Sequence, residues 1–180
     1  MADTKRKAGM GSHQSPGRGE RVWLTPPEIV KALGPFDLDP CFGAPRPCDT
    51  AATHYGPDAA DGLGGLAADW FGRVWCNPPY DRHAWEWLRR CAEHGDAIAL
   101  VFARTEVAEF HRQVWERATA ALFLEGRLYF HHGTGERAAH NGGAPSVLVA
   151  YGEAAAATLA RCGLRGQFIR LRGGGDAAND

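Results

Sequence analysis

The stretch Ala97-Ile98-Ala99-Leu100-Val101-Phe102 decides the fold class of this chain. A continuous apolar run of this kind is typical of a β-strand that is covered on both faces. Apolar residues at helical spacing flank it, and they predict one helix that ends near Gly95 and another over 107–118. A covered strand between two helices is the basic unit of an α/β protein.

The same alternation continues toward both ends of the chain. Before the run, the pattern predicts a first helix near 25–34 and strands at 36–40, near 54–55 and at 74–76. After it, the pattern predicts strands at 121–124, 127–130, 146–151 and 167–171, with a helix at 154–162 before the last strand. We therefore expect an α/β fold with a mainly parallel sheet flanked by helices.

The first helix carries clear start and stop signals. Thr25-Pro26-Pro27-Glu28 has the T-x-x-E pattern of a capping box, with proline at the first helical position. Ile29, Val30 and Leu33 give the helix an apolar face, and Gly34-Pro35 ends it.

Length and composition fit one soluble globular domain. The 180 residues are 44% hydrophobic and 23% charged, and the sequence contains no apolar run of about 18 residues. No hydrophobic stretch follows the basic cluster Lys5-Arg6-Lys7, so we expect a cytoplasmic protein with neither a secretory signal nor a membrane span. We interpret residues 1–20 as a flexible basic arm, 21–172 as a single domain and 173–180 as a disordered tail.

Charge and cysteine content restrict the possible partners. A formal net charge of −1 weakens a nucleic-acid interpretation, although arginines concentrated on one face would still permit it. The five cysteines form no CxxC pair and are expected to be reduced thiols. Cys41, Cys48 and His54 match no common zinc spacing, so no metal is expected.

The predicted strand at 74–76 runs directly into Asn77-Pro78-Pro79-Tyr80. Neither proline offers an N–H, and each holds the residue before it in an extended conformation. Carbonyl oxygens and an aromatic ring are then left at the end of a strand, an arrangement suited to a planar molecule with an amino group. The alternative is a strand that ends in a rigid turn, with Tyr80 packed in the core.

A second strand end is predicted at Asp39-Pro40. Ligands of open α/β sheets bind outside the carboxyl ends of the strands, so we expect Asp39 and the Asn77–Tyr80 turn to share one cleft. The sequence contains neither G-x-G-x-x-G nor a P-loop, which argues against nicotinamide cofactors and nucleoside triphosphates.

Seven sequence blocks, in this order, resemble the phage-type (Dam-like) DNA N6-adenine methyltransferase family over residues 23 to about 151. The blocks are Trp23-Leu24-Thr25-Pro26, Leu38-Asp39-Pro40-Cys41, Asp61-Gly62-Leu63, Asp69-Trp70, Cys76-Asn77-Pro78-Pro79-Tyr80, Gly126-Arg127-Leu128-Tyr129-Phe130 and Pro145-Ser146.

The resemblance implies a Rossmann-like methyltransferase fold, S-adenosylmethionine as methyl donor and the N6 amine of adenine in double-stranded DNA as acceptor. It implies that Thr25 and Pro26 hold the methionine end of the cofactor. Asp39 and Pro40 correspond to the cofactor-binding strand end, and Asp61 to a position near the adenosine. Asn77, Pro78, Pro79 and Tyr80 correspond to the catalytic turn, into which the target base is flipped.

The predicted loop at 131–144 is the best candidate for DNA contact, since it is rich in glycine and carries Arg137 and His140. Arg127 and the basic arm are further candidates for phosphate contact. A solvated loop between two strands is the alternative interpretation.

Other functions remain open from the sequence. The same turn would fit a glutamine side-chain amide in a protein or a base amine in RNA. A catalytically inactive DNA-binding module is a third possibility. We take a monomer as the default state.

Overall fold

The computed structural model describes residues 23–41, 46–56, 65–80, 83–132 and 134–172. The predicted N-terminal arm, the predicted tail and Asp61 lie outside the described residues.

Within these ranges the chain forms helices and strands close to those predicted. The helices are α1 (Pro27–Leu33), α2 (Ala84–His94), α3 (Ala108–Phe110), which continues as a π-helical segment over His111–Trp115, and α4 (Glu153–Arg161). The strands are β1 (Leu38–Asp39), β2 (Thr53–His54), β3 (Val74–Cys76), β4 (Ala97–Phe102), β5 (Ala120–Leu124), β6 (Ser146–Tyr151) and β7 (Gly166–Arg170).

The described strands form one mixed sheet in the order β2-β1-β3-β4-β6-β5-β7. The pairs among β2, β1, β3 and β4 are parallel, whereas β6 is antiparallel to both β4 and β5, and β7 is antiparallel to β5. The fold is α/β as predicted, but the prediction of a mainly parallel sheet is wrong.

The reason for the mixed sheet lies in which strands become neighbours. β4 and β5 run in the same direction, as do β6 and β7, which is what helical connections between them require. However, β6 inserts between β4 and β5, and β5 lies between β6 and β7. The alternation of helices and strands therefore predicts correctly that two strands joined by a helix run in the same direction. It does not indicate which strands are neighbours in the sheet.

Helices cover both faces of the sheet. On one face, Leu88 of α2 and Phe110 of α3 share a buried cluster with Val74 and Ala99. On the other face, Leu33 of α1 and Leu159 of α4 share a second cluster with Trp75 of β3. The carboxyl end of β3 is thus held between two apolar layers, and each fully buried large side chain contributes about 1.5–3 kcal/mol.

Two local predictions are wrong. Residues 127–130 form no strand, because their backbone groups bond to scattered partners: the amide of Ala138 donates to the carbonyl of Phe130, and that of Gly142 to the carbonyl of Leu128. Helix α1 begins at Pro27, and its start has no side-chain cap. The Thr25 hydroxyl contacts another side chain, described below, instead of capping the helix.

No helix in the described part of the chain is long and apolar enough to cross a lipid bilayer.

Candidate functional site

The two predicted strand ends, those of β1 and β3, are neighbours at the point where the order of the strands in the sheet changes direction. From β1 the chain moves outward to β2, and it then crosses back to β3 on the other side of β1. Such a reversal separates the connections at the carboxyl ends of the two central strands and opens a crevice there. Asp39 is the last residue of β1 and Asn77 follows β3 directly, so both lie at this crevice, at the ends of adjacent parallel strands.

Asp39 is a buried carboxyl group, with only 5% of the residue exposed. Its Oδ1 atom accepts a hydrogen bond of 3.0 Å from the backbone amide of Cys41, and its Oδ2 atom accepts one from the Thr50 hydroxyl. Burial raises the pKa of Asp39 from 3.8 to about 6, although both hydrogen bonds act in the opposite direction. The protein therefore holds a carboxyl group at the crevice that is costly to ionise.

The raised pKa of Asp39 makes the stability of the protein depend on pH. Between pH 4 and 6 the folded protein binds a proton that the unfolded chain releases, so the free energy of unfolding falls as pH rises through about 6. We expect this loss to be about 2–3 kcal/mol between pH 4 and pH 7. Urea unfolding of the wild type and of Asp39→Asn at both pH values measures it, and the variant should lose that part of the pH dependence. Parallel pH profiles for the two proteins would contradict the prediction.

The side chain of Asn77 has a defined orientation. Its Nδ2 atom donates hydrogen bonds of 2.7 Å to the Trp23 carbonyl and 3.2 Å to the Thr25 hydroxyl. Its Oδ1 atom is buried and has no hydrogen-bond partner among the described residues. An unpaired buried acceptor costs about 1–3 kcal/mol, and such a group in a folded protein calls for an explanation. A donor supplied by a ligand would provide one.

Tyr80, three residues further along the turn, belongs to an aromatic cluster. Its ring lies 4.3 Å from that of Phe102 at an interplanar angle of 30°, and 6.0 Å from that of Phe130 in an edge arrangement. The Tyr80 hydroxyl is buried without a hydrogen-bond partner among the described residues, and burial raises its pKa far above the usual range. The ring, and not the hydroxyl, makes the contacts of this residue.

A cavity of about 310 Å³ lies beside this cluster. Aromatic side chains of Trp23, Tyr80, Phe102 and Phe130 line it, and residues 138–144 close it on another side. This volume is at the lower end of the range for small-molecule sites. The cavity is suited to a planar, mostly apolar group with a few polar atoms.

The residues predicted for DNA contact occupy different positions around the cavity. His140 is exposed and lines it, whereas Arg127 is exposed and does not. Arg137 is exposed, and its guanidinium group lies 4.5 Å from the centre of the Tyr129 ring. Residues 131–144 are attached to the site through a bridge between His131 and Leu24.

Sequence reasoning missed several residues of the site. Phe102 and Arg104 line the cavity at and just after the end of β4, and the strand-end rule that selected Asp39 and Asn77 applies equally to them. Trp23 and Phe130 also line it, and no local signal in the sequence distinguishes them from core residues.

Cysteines lie behind the crevice. The sulfur atoms of Cys41 and Cys76 are 3.3 Å apart as free thiols, and burial raises the pKa of Cys41 to about 11. Buried thiols of this kind are poor nucleophiles. Within the described ranges, no group of three or more histidine, cysteine or acidic residues is arranged to hold a metal ion.

No protein-family model, curated protein or solved structure matches this chain.

Proposed function

We propose that this protein transfers a methyl group from S-adenosylmethionine to the N6 amine of adenine in double-stranded DNA, within a Rossmann-like methyltransferase fold. The observation that carries the proposal is the buried, unpartnered Oδ1 atom of Asn77, which follows a strand end and precedes Pro78-Pro79-Tyr80. This acceptor without a donor stands three residues before Tyr80, which lines the aromatic cavity, and it suits an amino group on a planar ring.

The exocyclic amine of adenine is a poor nucleophile because its lone pair is delocalised into the ring. Asn77 Oδ1 and the Pro78 carbonyl oxygen would each accept a hydrogen bond from one N–H group of the amine. These two hydrogen bonds would favour a lone pair that is localised on the nitrogen. The same two oxygens stabilise the positive charge that develops on that nitrogen in the transition state. No strong base is required before the attack, since the amine becomes acidic only after it is methylated. Positioning effects of this kind contribute at most about 7–11 kcal/mol.

The residues at the crevice fit a cationic cofactor. When bound, S-adenosylmethionine supplies an electrophilic methyl group on a positively charged sulfur. Asp39 offers a buried carboxyl group, and each of its oxygens has a further lone pair beyond the one used by Cys41 or Thr50. Pro40, Thr25 and Pro26 complete the proposed cofactor site in the described ranges, and Asp61, proposed near the adenosine, lies outside them.

The proposed base pocket is the aromatic cavity. An amine inside a duplex is out of reach, so the adenine must be flipped at a cost of a few kcal/mol. Stacking of the base on Tyr80 would return about 1–3 kcal/mol. Phe102 already packs against Tyr80 and holds its ring in place.

Cations near the mouth of the cavity suit the phosphate backbone. Arg104 and His140 line the cavity and are exposed, and Arg137 is exposed on the same 131–144 segment. Arg104, Arg137 and Arg127 carry positive charge on a chain whose net charge is −1.

The test is transfer of radiolabel from S-adenosylmethionine to unmethylated double-stranded DNA, RNA and bulk protein in parallel. We expect label on DNA, recovered as N6-methyladenine after digestion. Label on RNA or on protein glutamine would assign the site to another acceptor, and absence of label on all three would support an inactive binding module.

Tyr80 provides a second prediction about the base pocket. We expect Tyr80→Ala to reduce kcat/KM for DNA by about 10- to 100-fold, because it removes the stacking surface. Tyr80→Phe should keep most of the activity, since the hydroxyl has no partner among the described residues. Equal losses in both variants, in steady-state assays with saturating cofactor, would indicate that the hydroxyl and not the ring is required.

A further inference from the structure

A short backbone segment, Trp23–Thr25, faces the side-chain amide of Asn77 although more than 50 residues separate the two in sequence. The Trp23 carbonyl carries no proton and can only accept a hydrogen bond. The atom of Asn77 that lies 2.7 Å from it must therefore be the amide nitrogen. In the reverse orientation two oxygen atoms would be in contact at that distance.

The Thr25 hydroxyl is compatible with this orientation, because a hydroxyl group can accept a hydrogen bond. It lies 3.2 Å from Asn77 Nδ2, and the residue is only 4% exposed. Both amide protons of Asn77 then have acceptors on one side, which leaves Oδ1 directed away from Trp23 and Thr25. Because Thr25 makes this contact, its hydroxyl is used for Asn77 and not for capping α1.

The segment is itself held in place from the other side. Leu24 and His131 exchange two backbone hydrogen bonds, of 2.9 Å from the Leu24 amide and 3.0 Å from the His131 amide. The Trp23 ring packs against Phe130 and His132, at centroid distances of 6.3 and 5.6 Å. The segment is thus a fixed support between the proposed DNA-contacting residues 131–144 and the proposed catalytic turn.

We propose that Thr25 and the Trp23 carbonyl are positioning groups that fix the side-chain amide of Asn77 with its oxygen toward the substrate amine. This inference depends on the proposed function for its catalytic consequence, and it gives Thr25 a role in addition to its proposed place in the cofactor site. A cofactor ligand would change cofactor affinity, whereas a positioning group changes the rate of transfer with the cofactor already bound.

The orientation itself is tested without any activity. We expect the two side-chain amide protons of Asn77 in the free protein to exchange slowly with solvent, whereas those of exposed Asn141, the matched control, exchange fast. Thr25→Val should shift one Asn77 resonance and speed its exchange. An Asn77 amide that exchanges as fast as that of Asn141 would overturn the inference, whatever the protein methylates.

The catalytic consequence is tested with Thr25→Val, Thr25→Ser and the distant control Thr158→Val. For Thr25→Val we expect kcat at saturating S-adenosylmethionine to fall by about tenfold, the scale of one lost hydrogen bond, and calorimetry measures any change in the Kd of the cofactor separately. Thr25→Ser should recover most of kcat, because it keeps the hydroxyl. An unchanged kcat with a Kd raised tenfold would overturn the positioning role and leave Thr25 as a cofactor ligand only.

Asn77→Asp gives a pH signature of the contact with the Trp23 carbonyl. A protonated carboxyl group can donate to that carbonyl, whereas the ionised form places a negative oxygen against it. We expect the free energy of unfolding of this variant to fall, relative to that of the wild type, as pH rises from 5 to 8. Parallel pH profiles of stability for the two proteins would contradict the inference. If the wild type labels no substrate, the proposed function fails, and the resonance experiment still decides the orientation.

Discussion

Asn77→Ala should lower kcat for DNA methylation by about 10²–10³-fold, the cost of removing one oriented group that stabilises charge in a transition state. The amine would lose the side-chain acceptor Asn77 Oδ1, and the Pro78 carbonyl alone would not localise its lone pair. The Kd for S-adenosylmethionine should change less than threefold, because Asn77 is proposed to bind the acceptor and its link to the proposed cofactor residue Thr25 is a single hydrogen bond of 3.2 Å. Radiolabel transfer at saturating cofactor and calorimetry measure the two quantities separately.

Stability must be measured beside activity in this variant. Asn77→Ala leaves the Trp23 carbonyl without the Asn77 donor, which costs about 1–3 kcal/mol, but it also removes the unpartnered Oδ1 atom. We therefore expect a folded protein with a small net change in the free energy of unfolding. Loss of cofactor binding in a folded Asn77→Ala protein would count against the assignment of Asn77 to the acceptor side of the site.

Gly152→Ala should destabilise the protein by more than about 3 kcal/mol and is the largest folding effect that we expect from a single methyl group. Gly152 joins β6 to α4 with a φ of +95°, where residues with a Cβ are strained. A Cβ atom there would lie 1.8 Å from the Gly95 carbonyl oxygen, so the turn between β6 and α4 and the end of α2 would have to separate. The midpoint of urea unfolding measures the effect.

Gly126→Ala is the matched control for this substitution. Its φ is +79°, but within the described ranges no atom outside its chain neighbours lies within 4 Å of the added Cβ. We expect it to cost only the backbone strain of about 1–2 kcal/mol. Similar unfolding midpoints for the two variants would show that the close approach to Gly95 is relieved without cost, contrary to the prediction.

Local sequence patterns were sufficient for most of the helices and strands. The apolar run at 97–102 forms β4 over the same residues, and the predicted helix that ends near Gly95 is α2, with Gly95 in the left-handed conformation after it. These signals are local, since apolar periodicity and glycine or proline act within one or two turns of chain. The π-helical segment after α3 has no such signal and lies within the single helix predicted over 107–118.

The wrong predictions share a physical cause. Residues 127–130 have the composition of a strand, and Phe130 is buried as a strand residue would be, but their hydrogen-bond partners are distant backbone groups outside the sheet. Thr25 and Glu28 have the spacing of a capping box, but Asn77 competes for the Thr25 hydroxyl. A local sequence pattern indicates which contacts a residue is able to form. The residues that tertiary packing brings close to it decide which of these contacts forms.

By itself the sequence determined where these two strands end and which residues lie there: Asp39 at the end of β1, and Asn77, Pro78, Pro79 and Tyr80 after β3. Those facts are local, because prolines end a strand through their own missing N–H groups. Only the tertiary structure decided that β6 lies between β4 and β5, that an aromatic cavity adjoins Tyr80, and that the Trp23 carbonyl faces Asn77. These contacts join residues far apart in the chain, and their geometry follows from the packing of whole elements, which no local pattern encodes.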